Sequence, residues 1–200
     1  MKSFKISLTI VLLIAATFSV VAQSAKENIR EGFIAQATAM KDKDFEKSIE
    51  YTADELFNLV PKEQMLTVIT ATFNNPNLEI VSTVPKIVSI ADVEKINEKY
   101  YAIIVSEGIQ KMRMYGDDMI ALGLDNATVA SMKSSFDASF GEENVKFDDE
   151  TKFFEVFVKQ KAVAISKDGK TDWKYLTIEK SLYPMLAQLL PEEVIKKVKS

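Results

Sequence analysis

Beyond residue 24, apolar residues first recur at helical spacing and then switch to the two-residue alternation of strands. From Ala25 to Met40, the residues Ile29, Phe33, Ala37 and Met40 fall on one stripe, with Lys26, Arg30 and Gln36 on the opposite side. Lys41-Asp42-Lys43 breaks that helix. Asp44 is suited to cap a second helix whose buried side carries Phe45 and Ile49. A short third piece lies between Thr52 and Val60, with Leu56, Phe57 and Val60 apolar. Pro61 fits the first position of a fourth helix, where its missing N–H leaves no bond unmade. Met65, Val68, Ile69, Thr72 and Phe73 follow at helical spacing, and Asn74-Asn75-Pro76-Asn77 ends the run.

The strand pattern then begins. Leu78 to Val81 and Lys86 to Ile90 are rich in β-branched residues, and Pro85 between them marks an edge position or a bulge. Lys99 to Tyr115 predicts one long strand, with a bulge or bend expected at Gly108. Residues 116–141 interrupt the sheet. Met119 to Leu122 predicts a helical turn, and Val129, Met132, Phe136 and Phe140 form the stripe of a helix capped near Asp125 or Asn126. Val145 and Phe147 start a strand. After Ile178, Leu182 to Leu190 is helical, and Pro191 opens a last helix with Val194, Ile195 and Val198 on one side.

The strongest local signal is the hairpin from Phe153 to Ile178, turning at Asp168-Gly169. A two-residue type I′ turn needs positive φ at both central residues, which Asp-Gly supplies. That turn predicts Ala164 opposite Trp173 and Ala162 opposite Tyr175, and paired residues share a face. Two alanines would then leave room on a face where a Trp and a Tyr lie. Trp173 and Tyr175, with Tyr101 and Phe33, are the candidate lining of a ligand pocket, and ordinary core packing is the competing reading. No repeat, low-complexity tract or linker divides residues 23–200, which read as one α+β domain of helices followed by an antiparallel sheet.

Residues 1–22 read as a secretory leader. Lys2 and Lys5 precede an apolar run from Ile6 to Val21, and Val20-Val21-Ala22 is a small-residue cleavage site. No cysteine lies near the cut, so lipid attachment of the bacterial lipoprotein kind is excluded. Loss of Lys2 and Lys5 takes the net charge from −4 to −6. A mildly acidic chain lacks the basic face of a sequence-independent nucleic-acid binder and any polybasic membrane patch. An exported chain with no cysteine at all points to a periplasmic or secreted bacterial protein held together by packing.

The absence of histidine is the most restrictive fact. It removes Ser-His-Asp and Cys-His nucleophile systems and His-ligated metals. A metal would need oxygen ligands, and the acidic positions Glu142, Glu143 and Asp148 to Glu150 lack the spaced, Gly-containing pattern of a calcium loop. No Gly-rich phosphate loop and no Gly-x-Ser-x-Gly elbow is present. No cofactor and no metal is expected. The best single acid for general-base work is Glu107, mid-strand beside Gly108; the competing reading is a solvent-facing strand position.

Three stretches carry a family resemblance: the opening helix followed by KDKDFEKSIEYTADELFNLV, the helix ending in an Asn-Pro break before the first strand, and the closing Thr171-Asp172-Trp173-Lys174-Tyr175-Leu176 followed by Leu189-Leu190-Pro191-Glu192-Glu193-Val194. This order resembles the NTF2-like, or cystatin-like cone, superfamily, and is similar to small exported bacterial proteins within it. The resemblance implies a curved antiparallel sheet wrapping the first helix, a pocket at the open end, and residues 116–141 as a helical insertion. It implies shape more than activity, since the superfamily contains isomerases and dehydratases as well as non-catalytic binding modules. The leading expectation is a non-catalytic exported domain that binds a small apolar ligand or a protein partner, with a homodimer through the sheet as one form. The alternatives are a small lyase or isomerase using a carboxylate and a tyrosine, and a structural envelope protein.

Overall fold

The computed structural model describes residues 24–115, 125–178 and 183–199. The expected leader over 1–22, the helical turn expected at Met119 to Leu122, and Leu182 at the start of the closing helical segment lie outside the described residues. Among the described residues the chain forms seven α-helices and an open, seven-stranded antiparallel sheet, so the α+β class holds.

The helices come first. Helix α1 spans 24–41. Helix α2 (Phe45–Glu50) is capped by Asp44, whose side chain accepts from Lys47 N at 3.2 Å, and buries Phe45 and Ile49. Helix α3 (Asp54–Phe57) is a single turn, and Pro61 is the residue just before helix α4 (Lys62–Phe73). Phe73 at the end of α4 packs on Phe45 with ring centroids 5.0 Å apart.

Strand β4 (Lys99–Met114) is the spine of the sheet. Along one of its edges run β1 (Leu78–Ser82), β2 (Lys86–Ile90) and β3 (Glu94–Ile96), three pieces of one broken outer strand. Along the other edge runs β6 (Phe154–Ser166), and beyond it lie β5 (Val145–Phe147) and β7 (Lys174–Ile178). The expected bulge at Gly108 is absent: β4 and β6 pair without interruption from Tyr100↔Ser166 to Met112↔Phe154. The irregularity sits on β2 instead, where the register shifts between Ile87 and Ser89. Pro85 is at the edge, where no ladder N–H is needed. Gly108 accommodates Pro85, which a Cβ at position 108 would meet at 3.4 Å.

The hairpin between β6 and β7 departs from the two-residue turn. Ala164 pairs with Tyr175 and Ala162 with Thr177, two residues further along than Asp-Gly alone predicts. Gly169 has φ +72° and Asp172 φ +50°, so positive φ does not fall on two adjacent central residues. Asp168 instead accepts from the N–H groups of Lys170 and Thr171, each at 2.8 Å, which keeps the chain looped through 167–173. Gly169 is held against Tyr100, whose ring would lie 2.6 Å from a Cβ there.

Alternation assigns the two faces of the sheet. The even-numbered positions Ala102, Ile104, Ala162 and Ala164 meet Ala25, Ile29 and Phe33 of α1, with Trp173 and Tyr175 beside them. At the far end of the same face, α5 (Asn126–Phe140) lays Val129, Met132 and Phe136 on Val145, Phe154 and Val156. Asp125 is the cap of α5, accepting from Thr128 N at 2.7 Å. The opposite face, with Tyr101, Val163 and Ile165, is covered by α6 (Tyr183–Leu186) and α7 (Glu192–Lys199) through Leu186, Val194, Ile195 and Val198. Each fully buried aliphatic side chain of this kind contributes about 1.5–3 kcal/mol, an upper estimate. The segment after α2 joins the sheet edge: Tyr175 N donates to Tyr51 O at 2.7 Å and Ala53 N to Tyr175 O at 3.0 Å. No helix among the described residues is long and apolar enough to cross a membrane.

Candidate functional site

The α1 face of the sheet is closed at one end by alanines and open in its middle. Small side chains at 102, 162 and 164 let the first turns of α1 pack closely, and Ile29 and Phe33 are buried there. Further along, the same face carries Gly108 and Gln110 on β4 and Val158 and Gln160 on β6. Nothing on α1 fills the space above them. Its last turns, with Gln36, Ala37 and Met40, border a cavity of about 370 Å³.

The other walls come from elements that the helical half of the sequence places around α1. Helix α2 contributes Ser48 and Ile49, and α4 contributes Met65 and Ile69. The β1–β2 corner contributes Ser82, Thr83 and Pro85, and the rim by β7 and α6 contributes Leu176, Thr177, Met185 and Leu186. Phe33 and Tyr175 stand at the closed end, in an edge-to-face contact with ring centroids 5.5 Å apart.

The described lining contains no Asp, Glu, Lys or Arg. Its ionisable group is Tyr175, whose hydroxyl donates to Ile29 O at 2.9 Å and is pushed well above the usual phenol range by burial. Several polar groups of the lining are already engaged. Thr83 Oγ1 donates to Ile109 O at 2.7 Å, and Gln36 Nε2 lies 3.4 Å from Thr52 Oγ1. The side chains of Gln110 and Gln160 make no hydrogen bond to another described residue. Such a lining can enclose an apolar body and offer neutral donors and acceptors. It offers no general base.

Of the residues singled out from sequence, the cavity brings together Phe33 and Tyr175. Trp173 is buried behind them against α1, its indole Nε1 donating to Lys170 O at 3.2 Å. Tyr101 lies on the opposite face under α7, because alternation puts an odd-numbered residue of β4 there. Burial, followed by the nearby Glu55 carboxylate, raises the Tyr101 phenol. Glu107 is also odd-numbered and off the cavity; its carboxylate faces Lys86 Nζ at 3.4 Å on the neighbouring strand. Among the described residues no cluster of three or more acidic side chains could hold a metal, and Asp148 caps its own turn by accepting from Glu150 N and Thr151 N.

The sequence pattern puts Gln36 on the polar side of α1, opposite the stripe of Phe33, Ala37 and Met40, whereas it lines the cavity with them, and the pattern does not single out Gln110 or Gln160. A signal for the last two was present. Ser106, Gly108 and Gln110 break the apolar series begun by Ala102 and Ile104, and Gln160 breaks the series from Val156 and Val158 to Ala162 and Ala164. Polar or absent side chains at inward positions mark the stretch where the face stops being core. Ser106 is fully buried there, and its hydroxyl has no hydrogen-bond partner among the described residues. Comparison of the chain with protein-family models, curated proteins and solved structures finds no match.

Proposed function

We propose that this chain is an exported, non-catalytic binding domain of NTF2-like type whose cavity takes a small, largely apolar molecule. The observation that carries the reading is the cavity of about 370 Å³ between α1 and the sheet, with an uncharged described lining. Its volume falls in the range of about 300–1,000 Å³ common to small-molecule pockets. The NTF2-like assignment draws support from the first helix lying on one sheet face, three further helices before the first strand, and an antiparallel sheet built on two long strands. Export draws support from the leader pattern over residues 1–22 and from the lack of cysteine.

The carboxylate-and-tyrosine alternative finds no pair in the described lining of this cavity; the Tyr115 hydroxyl does bond the Glu79 carboxylate, but outside that lining and with Arg113 on the same carboxylate. Glu107 is ion-paired off the cavity, and the Tyr175 hydroxyl is committed to Ile29. Native mass spectrometry of protein purified from the exported fraction tests the binding reading. A retained small molecule, or saturable one-to-one binding of the neutral dye Nile red that Ala37→Trp abolishes, is the expected result. No retained mass together with no saturable dye binding would remove the ligand reading.

A further inference from the structure

Taking the cavity as a ligand site, as proposed above, we infer that its occupant is an uncharged, elongated amphiphile whose hydroxyl, carbonyl or amide group is held at the inner end by Gln160 and Gln36. The floor has a polar–apolar–polar order. By register Gln160 stands opposite Ser106, Val158 opposite Gly108, and Gln110 opposite Val156. At about 3.3 Å per residue the strip from Gln160 to Gln110 is roughly 13 Å long. Gln160 is half-buried and Gln110 exposed, so the first marks the inner end and the second the mouth. Between them the floor is Gly108 and Val158, and the lining also includes Met40 and Met65, whose flexible thioethers adapt to a chain-like body.

The head group follows from what the inner end offers. The Gln160 amide carries both donors and an acceptor and bonds no other described residue. Gln36 uses its Nε2 toward Thr52 Oγ1, and its side-chain oxygen remains an acceptor. Between them the two neutral amides offer donors and acceptors, so a hydroxyl, a carbonyl or an amide each finds a partner, the hydroxyl and the amide as both donor and acceptor. A carboxylate entering here would shed water without meeting a cation in the described lining, and an ammonium would meet no carboxylate. Charge is therefore disfavoured in either sign, and the apolar walls reward the hydrocarbon part.

A matched series decides it: dodecanol, dodecanamide, dodecanoate and dodecylamine competing against Nile red on the full chain at neutral pH. The alcohol and the primary amide should compete at least about tenfold better than both charged members. Gln160→Leu should erase that preference, weakening alcohol and amide about tenfold while leaving Nile red binding in place. Gln36→Leu, on α1 rather than in the sheet, gives the same readout if the strand variant fails to fold. The inference is overturned if dodecanoate or dodecylamine competes best, or if the glutamine variants weaken all four compounds alike. Should Nile red and every member of the series fail to bind, the ligand reading itself falls.

Discussion

A Cβ on Gly32 would lie 2.3 Å from the Tyr175 hydroxyl oxygen, so the tyrosine occupies the place a side chain at position 32 would need. The gap in α1 lets that hydroxyl reach Ile29 O at 2.9 Å and ties the first helix to the last strand of the sheet. Gly32→Ala should lower stability by about 1–3 kcal/mol through overpacking. Tyr175→Phe should cost about 1 kcal/mol through the lost hydrogen bond. In the double variant the oxygen that clashes is gone, so its loss should be smaller than the sum of the two singles. Urea denaturation of the four proteins measures the coupling, and strict additivity would show that the two residues do not compete for space.

Asp168 is predicted to make the hairpin loop acid-sensitive. The backbone N–H groups of Thr171 and Lys170 hold its carboxyl far below the usual carboxylate range. A depressed folded-state pKa contributes stability above the unfolded value, about 3.9, and that contribution is lost as pH falls toward the folded value. Asp168→Ala should therefore melt below the parent protein at pH 7, and the two melting temperatures should converge below about pH 4. A gap that stays constant through the acid range would refute the linkage.

Ser106 is expected to be a position where removing a polar atom helps. Its hydroxyl is fully buried with no hydrogen-bond partner among the described residues. An unpaired buried hydroxyl costs about 1–3 kcal/mol, so Ser106→Ala should be neutral or stabilising by about 1 kcal/mol. A clear loss of stability in denaturant titration would mean that the hydroxyl is satisfied in the folded protein.

Gly108 separates stability from ligand binding. A Cβ there meets Pro85 Cα at 3.4 Å and Thr83 Oγ1 at 3.7 Å, ordinary contact distances, and the residue forms part of the cavity floor. Gly108→Ala should raise stability by about 0.5–1 kcal/mol, since glycine weakens a strand interior. The added methyl should weaken dye binding by narrowing the floor. Unchanged binding with normal stability would place the ligand away from Gly108.

The hairpin shows how far local pattern reaches. Asp168-Gly169 marks where the chain reverses, and the reversal lies there. Register is a different matter, because the Asp168 carboxylate recruits the N–H groups of Lys170 and Thr171 and extends the loop. The slide of two residues preserves the faces, since alternation repeats every two residues. Tyr175 therefore still shares a face with Ala162 and Ala164, while Trp173 leaves the ladder and packs against α1. Strand β3 escaped notice because Glu94-Lys95-Ile96 carries no apolar alternation; it forms because Asn97 adopts φ +55° and turns Ile96 back to pair with Lys99.

By itself the sequence determined the helical stripes of α1, α2, α4 and α5, the strand character of β1, β2, β4 and β6, and the absence of histidine and cysteine chemistry. Those depend on side-chain period and residue type along a few turns or pleats. Only the tertiary structure decided that Tyr101 and Glu107 face away from the cavity while Gln36, Gln110 and Gln160 line it. That outcome depends on which parity of β4 meets α1, and on where the alanine platform ends beneath the helix. Both arise from contacts between segments more than 60 residues apart, such as Tyr175 and Ile29 at a separation of 146, which no local period records.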